Sequence, residues 1–312
     1  MPASDKEQQG QTHLYSVFFA PRGLVRLVNL GREIAQQYLS PFDKLIGIVG
    51  SPASGKSMLI RGMFPGLELT NDDNGVNVRP LPLLDADEDD SGFYSPHTYH
   101  VDIHFEAAFV PMHELATAVQ TALDLGKRVV AEHFDLLYPF MDRNANLLIG
   151  IGEEVIVTRP NLFGPEAQDI ADIVHKSLKY RLMCHTAEHL CIHYLQQQGE
   201  NEFGHADVRH GFILTFPQKP NIDLADLKQY ISDKVSANLQ VSFVDEQHIR
   251  IGEQIYSCTG PRVHVARTGE IEHFCAGSEF VFDPISKQYF LVGVIGEHIH
   301  NQMWDLNKIE AM

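Results

Sequence analysis

The chain has 312 residues, 44% of them apolar, and carries a formal charge of −17. That length fits two domains of ordinary size, each with a real core. No run of 18 apolar residues occurs, which excludes a conventional membrane-spanning helix. The acidic balance argues against a general nucleic-acid binder, whose affinity comes largely from basic groups that release counterions from phosphates.

Residues 1–12 are polar, lack an apolar signal core, and read as a disordered tail on a cytoplasmic protein. Residues 14–20 are β-prone, and residues 30–39 are helical in pattern. The run Lys44-Leu-Ile-Gly-Ile-Val-Gly50 is apolar without alternation. That pattern belongs to a parallel strand covered on both faces. A helix is expected from Gly55 to about Met63, and residues 67–70 are a second strand candidate. Residues 71–96 read as a long loop containing the acidic run Asp85-Ala-Asp-Glu-Asp-Asp90. A strand candidate at 99–105 follows, then an amphipathic helix over 114–126 that Gly126 ends. Short buried strands are expected at 128–132 and 154–158. Strands alternating with helices predict an α/β domain with a mainly parallel sheet.

From Pro165 the pattern changes. A helical stretch runs to about Gln198, followed by a strand at 211–216 and a helix at 224–238. Strand candidates between Val241 and Val294 have hairpin-like spacing, which makes this half α+β. The expected division is a tail at 1–12, a first domain at 13–170 and a second at 171–312.

The segment Gly50-Ser51-Pro52-Ala53-Ser54-Gly55-Lys56-Ser57 matches G-x-x-x-x-G-K-[ST] at every fixed position. Glycines let backbone N–H groups approach phosphate oxygens, and the following helix points its positive end at the same anion. Lys56 is expected to reach the β/γ phosphates of ATP, and Ser57 to coordinate Mg2+. Asp72 and Asp73, after the 67–70 strand candidate, are candidates to take the proton of an acceptor hydroxyl. Glu132 ends an apolar strand, where an acid would sit near magnesium; Asp135 is its rival. Arg143 and Arg159 are candidate phosphate clamps.

With its strand-end partner Val129-Val-Ala-Glu-His-Phe-Asp-Leu-Leu-Tyr138, this segment resembles the uridine-kinase-like group of P-loop kinases. The resemblance implies phosphoryl transfer from ATP to a small, nucleoside-like acceptor. The closely spaced lid arginines of that group have no counterpart in this sequence.

The second half is rich in metal-ligand residue types. The chain has 17 histidines, and its four cysteines are Cys184, Cys191, Cys258 and Cys275. Without an export signal, free thiols or metal ligands fit those cysteines better than disulfides do. His185-Thr-Ala-Glu-His189 puts two histidines on one helix face, a spacing suited to a single ion. It lacks the H-E-x-x-H order of a zincin protease. Together with Cys258-Thr-Gly-Pro-Arg-Val-His264-Val-Ala-Arg-Thr-Gly-Glu-Ile271, it resembles the second additional domain of alanyl- and threonyl-tRNA synthetases, also found in free-standing alanyl-tRNA editing proteins. That resemblance implies a Zn2+ site formed by His185, His189 and His264. It also implies a tRNA-linked editing chemistry in which Thr186 and Glu188 line a pocket. The family's cysteine position, four residues before the second-motif histidine, is Gly260 here. Cys258 is the candidate fourth ligand, and Cys275 is a substitute for it. His205 and His210, placed in a loop before a strand, are candidates to touch substrate.

Three functions follow. The first is an ATP-dependent kinase-like protein with a fused zinc-binding, editing-like domain. The second is a hydrolase of mischarged alanyl-type tRNA, regulated by the P-loop domain. The third is a P-loop protein whose second half is a catalytically inactive ligand sensor.

Overall fold

The computed structural model describes residues 15–69 and 98–296. Its first part runs β1 (Tyr15–Phe19), α1 (Leu24–Tyr38), β2 (Leu45–Val49), α2 (Lys56–Met63), β3 (Thr98–Asp102) and α3 (Ile103–Glu106). Then come α4 (Met112–Asp124), β4 (Arg128–Glu132), α5 (Phe134–Leu137), β5 (Leu147–Ile151), β6 (Glu154–Thr158) and α6 (Ala167–Gln197). The second part runs β7 (Gly204–Val208), β8 (Gly211–Phe216), α7 (Leu224–Ser236), β9 (Val241–Asp245), β10 (His248–Ile251) and β11 (Gln254–Ser257). It ends with β12 (Cys275–Ala276), β13 (Val281–Asp283) and β14 (Gln288–Val294).

Among the described residues, six strands form one sheet in the order β1-β6-β5-β2-β4-β3. The pairs β3–β4, β4–β2 and β2–β5 are parallel, and β6 and β1 add an antiparallel edge. The apolar run of β2 makes physical sense here. Ile46 and Ile48 face a core built with α1 and α2, while Leu45 and Val49 face a core built with α4, α5 and the start of α6. Side chains alternate between faces along a strand, so a strand covered on both sides must be apolar throughout. Each fully buried Val, Leu or Ile contributes roughly 1.5–3 kcal/mol. The second part is antiparallel: β12-β14-β8-β7 with β13 beside β14, and a separate β11-β10-β9 sheet. The fold is thus mixed α/β with a mostly parallel sheet, followed by an α+β arrangement.

Helix α6 joins the two parts. Ile170, Ala171 and Val174 belong to the core under the large sheet, whereas Met183, Ala187 and Leu190 belong to the core of the second part. At about 1.5 Å per residue the helix spans roughly 46 Å. The change from one core to the other therefore occurs within a continuous helix. Glu166 and Asp169 close a reciprocal cap at its start. Among the described residues, no helix is long and apolar enough to cross a membrane.

Three expectations need correction. Residues 67–69 of the expected 67–70 strand are not a strand. Both edges of β2 are taken by β4 and β5, and Leu67 and Leu69 instead cover the end of the α1/α2 core. The strand expected at 99–105 stops at Asp102, because the Asp102 carboxylate accepts the N–H of Phe105 and caps α3. His205 lies on β7 rather than in a loop.

Candidate functional site

The 50–57 loop links the C-terminal end of β2 to α2, beside the ends of β4 and β3. Crevices beyond the carboxyl ends of parallel strands are the usual ligand positions of open α/β sheets. Gly50 and Gly55 adopt positive φ of 156° and 95°. An added Cβ at Gly55 would lie 2.4 Å from Leu27 Cδ2, and one at Gly50 would lie 2.8 Å from the Ile151 carbonyl oxygen. Both positions therefore require glycine. Gly55 precedes α2 without a side-chain cap. The first N–H groups of a helix have no intrahelical partner, so an anion there would find donors. Ser54 Oγ is buried and has no hydrogen-bond partner. A buried polar atom in that state implies a missing partner.

The fixed side chains of the motif converge. Lys56 Nζ donates to the Ser51 carbonyl at 3.0 Å and lies 3.9 Å from Glu132 Oε2. Ser57 Oγ donates to Glu132 Oε1 at 3.0 Å. Parallel pairing sets Asp102 opposite Glu132, and ligand atoms of Asp102, Glu132 and His133 all lie within 4.8 Å of one another. Burial lowers the Lys56 ammonium pKa, with Glu132 opposing. Burial acts to raise the Glu132 carboxyl, but the hydrogen bond and charge of His100, together with Lys56 and Ser57, hold it below its ordinary value. Burial and the Lys56 charge push His133 down to about 4.

Of the other residues singled out for this site, Asp72 and Asp73 lie outside the described residues. Asp102, at the end of β3, is the described acid set opposite Glu132. Asp135 is half-buried, with its carboxyl raised by burial. Neither expected arginine clamp faces the loop. Arg159 is locked at the opposite end of the sheet by Asp43, the Tyr38 carbonyl and the Asn146 carbonyl. Arg143 is exposed beside Asp142.

A second cluster forms where α6 meets the loop after β11. One ligand atom from each of His185, His189, Cys258 and His264 lies within 4.8 Å of the others, so the cluster could hold a metal ion. Cys258 Sγ is 3.8 Å from His185 Nε2 and 3.3 Å from His264 Nε2. A tetrahedron built on metal–ligand bonds of about 2.0–2.3 Å has edges of roughly 3.3–3.8 Å. Outer contacts fix the rings. His185 Nδ1 donates to the Val263 carbonyl at 2.8 Å. Thr186 Oγ1 donates to the Leu182 carbonyl, which leaves its lone pairs for His264 Nδ1 at 3.1 Å and the Val265 N–H. Both rings thereby keep Nε2 bare and turned to the cysteine, the tautomer a ligating histidine needs. Burial pushes the free Cys258 thiol up to about 12; a bound cation would remove that proton.

Gly260, at the position of the expected cysteine, has no room for one. A Cβ there would lie 2.0 Å from the Arg22 carbonyl oxygen and 3.0 Å from His185 Cε1. Cys258 reaches the cluster from two residues earlier, while Cys275 lies on β12, outside the group.

Glu188 does not line the metal cluster. It is buried and faces Arg22, whose Nε donates to it at 2.9 Å, and His205, whose Nδ1 lies 2.8 Å away. Burial acts to raise its carboxyl, but the Arg22 charge and the His205 hydrogen bond hold it at about 2. Arg22 also pairs with Asp207 at 3.0 Å. His210 pairs with the buried Glu153 at 2.7 Å. His210 thus serves a contact between the parts, whereas His205 supports Glu188 within the second part. Arg181, wholly buried on α6, donates to the Ser54 carbonyl at 2.7 Å and to the Pro21 carbonyl at 2.5 Å.

No protein-family model matches this chain, and no curated protein does either. A search of solved structures finds an amino transferase from Eubacterium rectale at 10% identity, covering 72% of this chain, with a TM-score of 0.23. This chain spans 65% of the length of that structure's chain. A likeness at that score carries no argument about fold or chemistry.

Proposed function

We propose that the protein binds ATP and magnesium at the 50–57 loop and transfers a phosphoryl group to a small hydroxyl-bearing, nucleoside-like acceptor. The observation that carries this reading is the convergence of Lys56, Ser57 and Glu132 at the uncapped start of α2. Lys56, released from the Ser51 carbonyl, would bind the β/γ phosphates. Ser57 Oγ and the Glu132 carboxylate, whose neighbours hold it below the ordinary glutamate value, would hold the cation. When bound, magnesium neutralises charge on the transferring phosphate. Asp102 stands beside this group and takes the proton of the acceptor hydroxyl. The partly desolvated setting strengthens each of these charge contacts.

In the same reading, His185, His189, Cys258 and His264 hold zinc. Four protein ligands close a tetrahedral site, as in structural zinc centres, whereas hydrolytic ones keep a position open. That favours a stabilising or binding role for the second part over hydrolysis of mischarged tRNA. The test is ATP consumption with and without candidate acceptors. Turnover that rises on adding a nucleoside or another small alcohol supports the kinase reading. Deacylation of mischarged Ser- or Ala-tRNA without any acceptor-dependent ATP use would replace it with the editing reading.

A further inference from the structure

The two ligand clusters share a wall. A cleft beside the 50–57 loop is lined on one side by Lys56, Ser57 and Arg61, and on the other by Pro261, Arg262 and Val263. The latter three lie between the metal-cluster residues Cys258 and His264. Their loop is held at both ends by that cluster and in the middle by the first part of the chain. The Leu24 N–H donates to the Thr259 carbonyl at 2.8 Å, and the Gly260 backbone rests on the Arg22 carbonyl. Arg262 lines this cleft, as does its partner Glu246. Its guanidinium lies 4.4 Å above the Phe243 ring and donates to Glu246 Oε1 at 3.1 Å, and its side chain is 41% exposed.

We infer that Arg262 is a nucleotide-binding residue supplied by the second part, and that metal at the His185/His189/Cys258/His264 cluster sets nucleotide affinity by fixing the loop that carries it. This rests on the triphosphate reading of the 50–57 loop. A nucleotide whose phosphates sit on that loop extends along the cleft between α2 and residues 261–263. There its anionic chain meets Arg61 and Arg262 from opposite walls. Arginine suits the task, because its planar fork can bind phosphate oxygens while its flat face stays stacked on Phe243. Ordering a five-residue loop costs entropy. A metal that pins both ends spends that entropy before the nucleotide arrives, and affinity rises accordingly. Linkage is reciprocal, so bound nucleotide must hold the metal more tightly in turn.

The experiment is equilibrium binding of a fluorescent ATP analogue with magnesium to the full chain, with zinc content measured on the same samples. Arg262→Ala is expected to weaken binding about tenfold, the worth of one charge-assisted contact, with zinc content unchanged. Arg262→Lys recovers part of the loss. Zinc-stripped wild type is expected to bind at least as weakly as Arg262→Ala and to recover when zinc alone is returned. Bound MgATP is expected to slow zinc loss to a chelator. The proposal is overturned if Arg262→Ala and the zinc-stripped protein both bind like wild type while Lys56→Ala loses binding. Absence of triphosphate binding by the wild-type chain would remove the loop reading itself, and this proposal with it.

Discussion

Arg181 donates a hydrogen bond to the main-chain carbonyl of Ser54 across 2.7 Å, and so ties the helix bearing His185 and His189 to the loop bearing Lys56. The same guanidinium reaches the Pro21 carbonyl. Removing a fully buried charge from water is costly, and burial lowers its pKa to about 10. The helix retains the group because two loop carbonyls would otherwise lack a donor.

Arg181→Met should therefore lower stability although it removes a buried charge. Two orphaned carbonyls cost about 1–3 kcal/mol each, so a loss of roughly 2–6 kcal/mol, less whatever relief of the buried charge returns, and a fall in Tm of several degrees are expected. Arg143→Ala, on the exposed surface, serves as the control and should stay within about 0.5 kcal/mol. Calorimetry that finds the two variants equally stable would contradict this role for Arg181.

Metal content tests the ligand geometry. Cys258→Ala is expected to lose bound zinc, read by elemental analysis of the purified protein. Moving the thiol to the expected position, in Cys258→Ala/Gly260→Cys, should not restore it, because a Cβ at 260 collides with the Arg22 carbonyl. Full zinc content in the double variant would show that the loop can shift to accept the alternative spacing.

Glu153 gives a pH signature. Burial raises its carboxyl above the ordinary glutamate value, with the His210 hydrogen bond opposing. A raised folded value means that the fold holds this proton more tightly than the unfolded chain does. Its contribution to stability is complete below the unfolded pKa of about 4.3 and is lost as pH rises through the folded pKa. Glu153→Gln keeps the acceptor for the His210 N–H and removes the charge. The Tm of that variant relative to wild type should therefore improve between pH 4.5 and pH 7, and a pH-independent difference would show that burial of the carboxylate is not the cause.

Much of the first part was legible from pattern alone. The run at 45–49 and the strands at 128–132 and 154–158 declared themselves through unbroken apolar segments, because a strand covered on both faces has no polar side to show. The sequence Leu147-Leu-Ile-Gly-Ile151 carries the same signal and forms β5 beside β2. What pattern could not supply was the choice of acid. Asp102 closes a short strand of mixed polarity, Thr98-Tyr-His-Val-Asp102, and its importance comes from the register that sets it opposite Glu132. Register between strands separated by two helices leaves no local trace. The buried pair Arg22–Glu188 was equally invisible, since long-range ion pairs depend on how two parts dock. The i, i+4 histidines were readable because helical spacing alone brings them together, whereas the reach of Cys258 depended on the turn at Gly260.

The most direct test of the account is calorimetric titration of a slowly hydrolysed ATP analogue, with magnesium, into the wild-type chain and into Lys56→Ala. The account predicts binding at one site per chain for the wild type. For the variant it predicts a loss of about a hundredfold or more in affinity, roughly 2.7 kcal/mol, with zinc content unchanged. Equal affinity in the two proteins would contradict it.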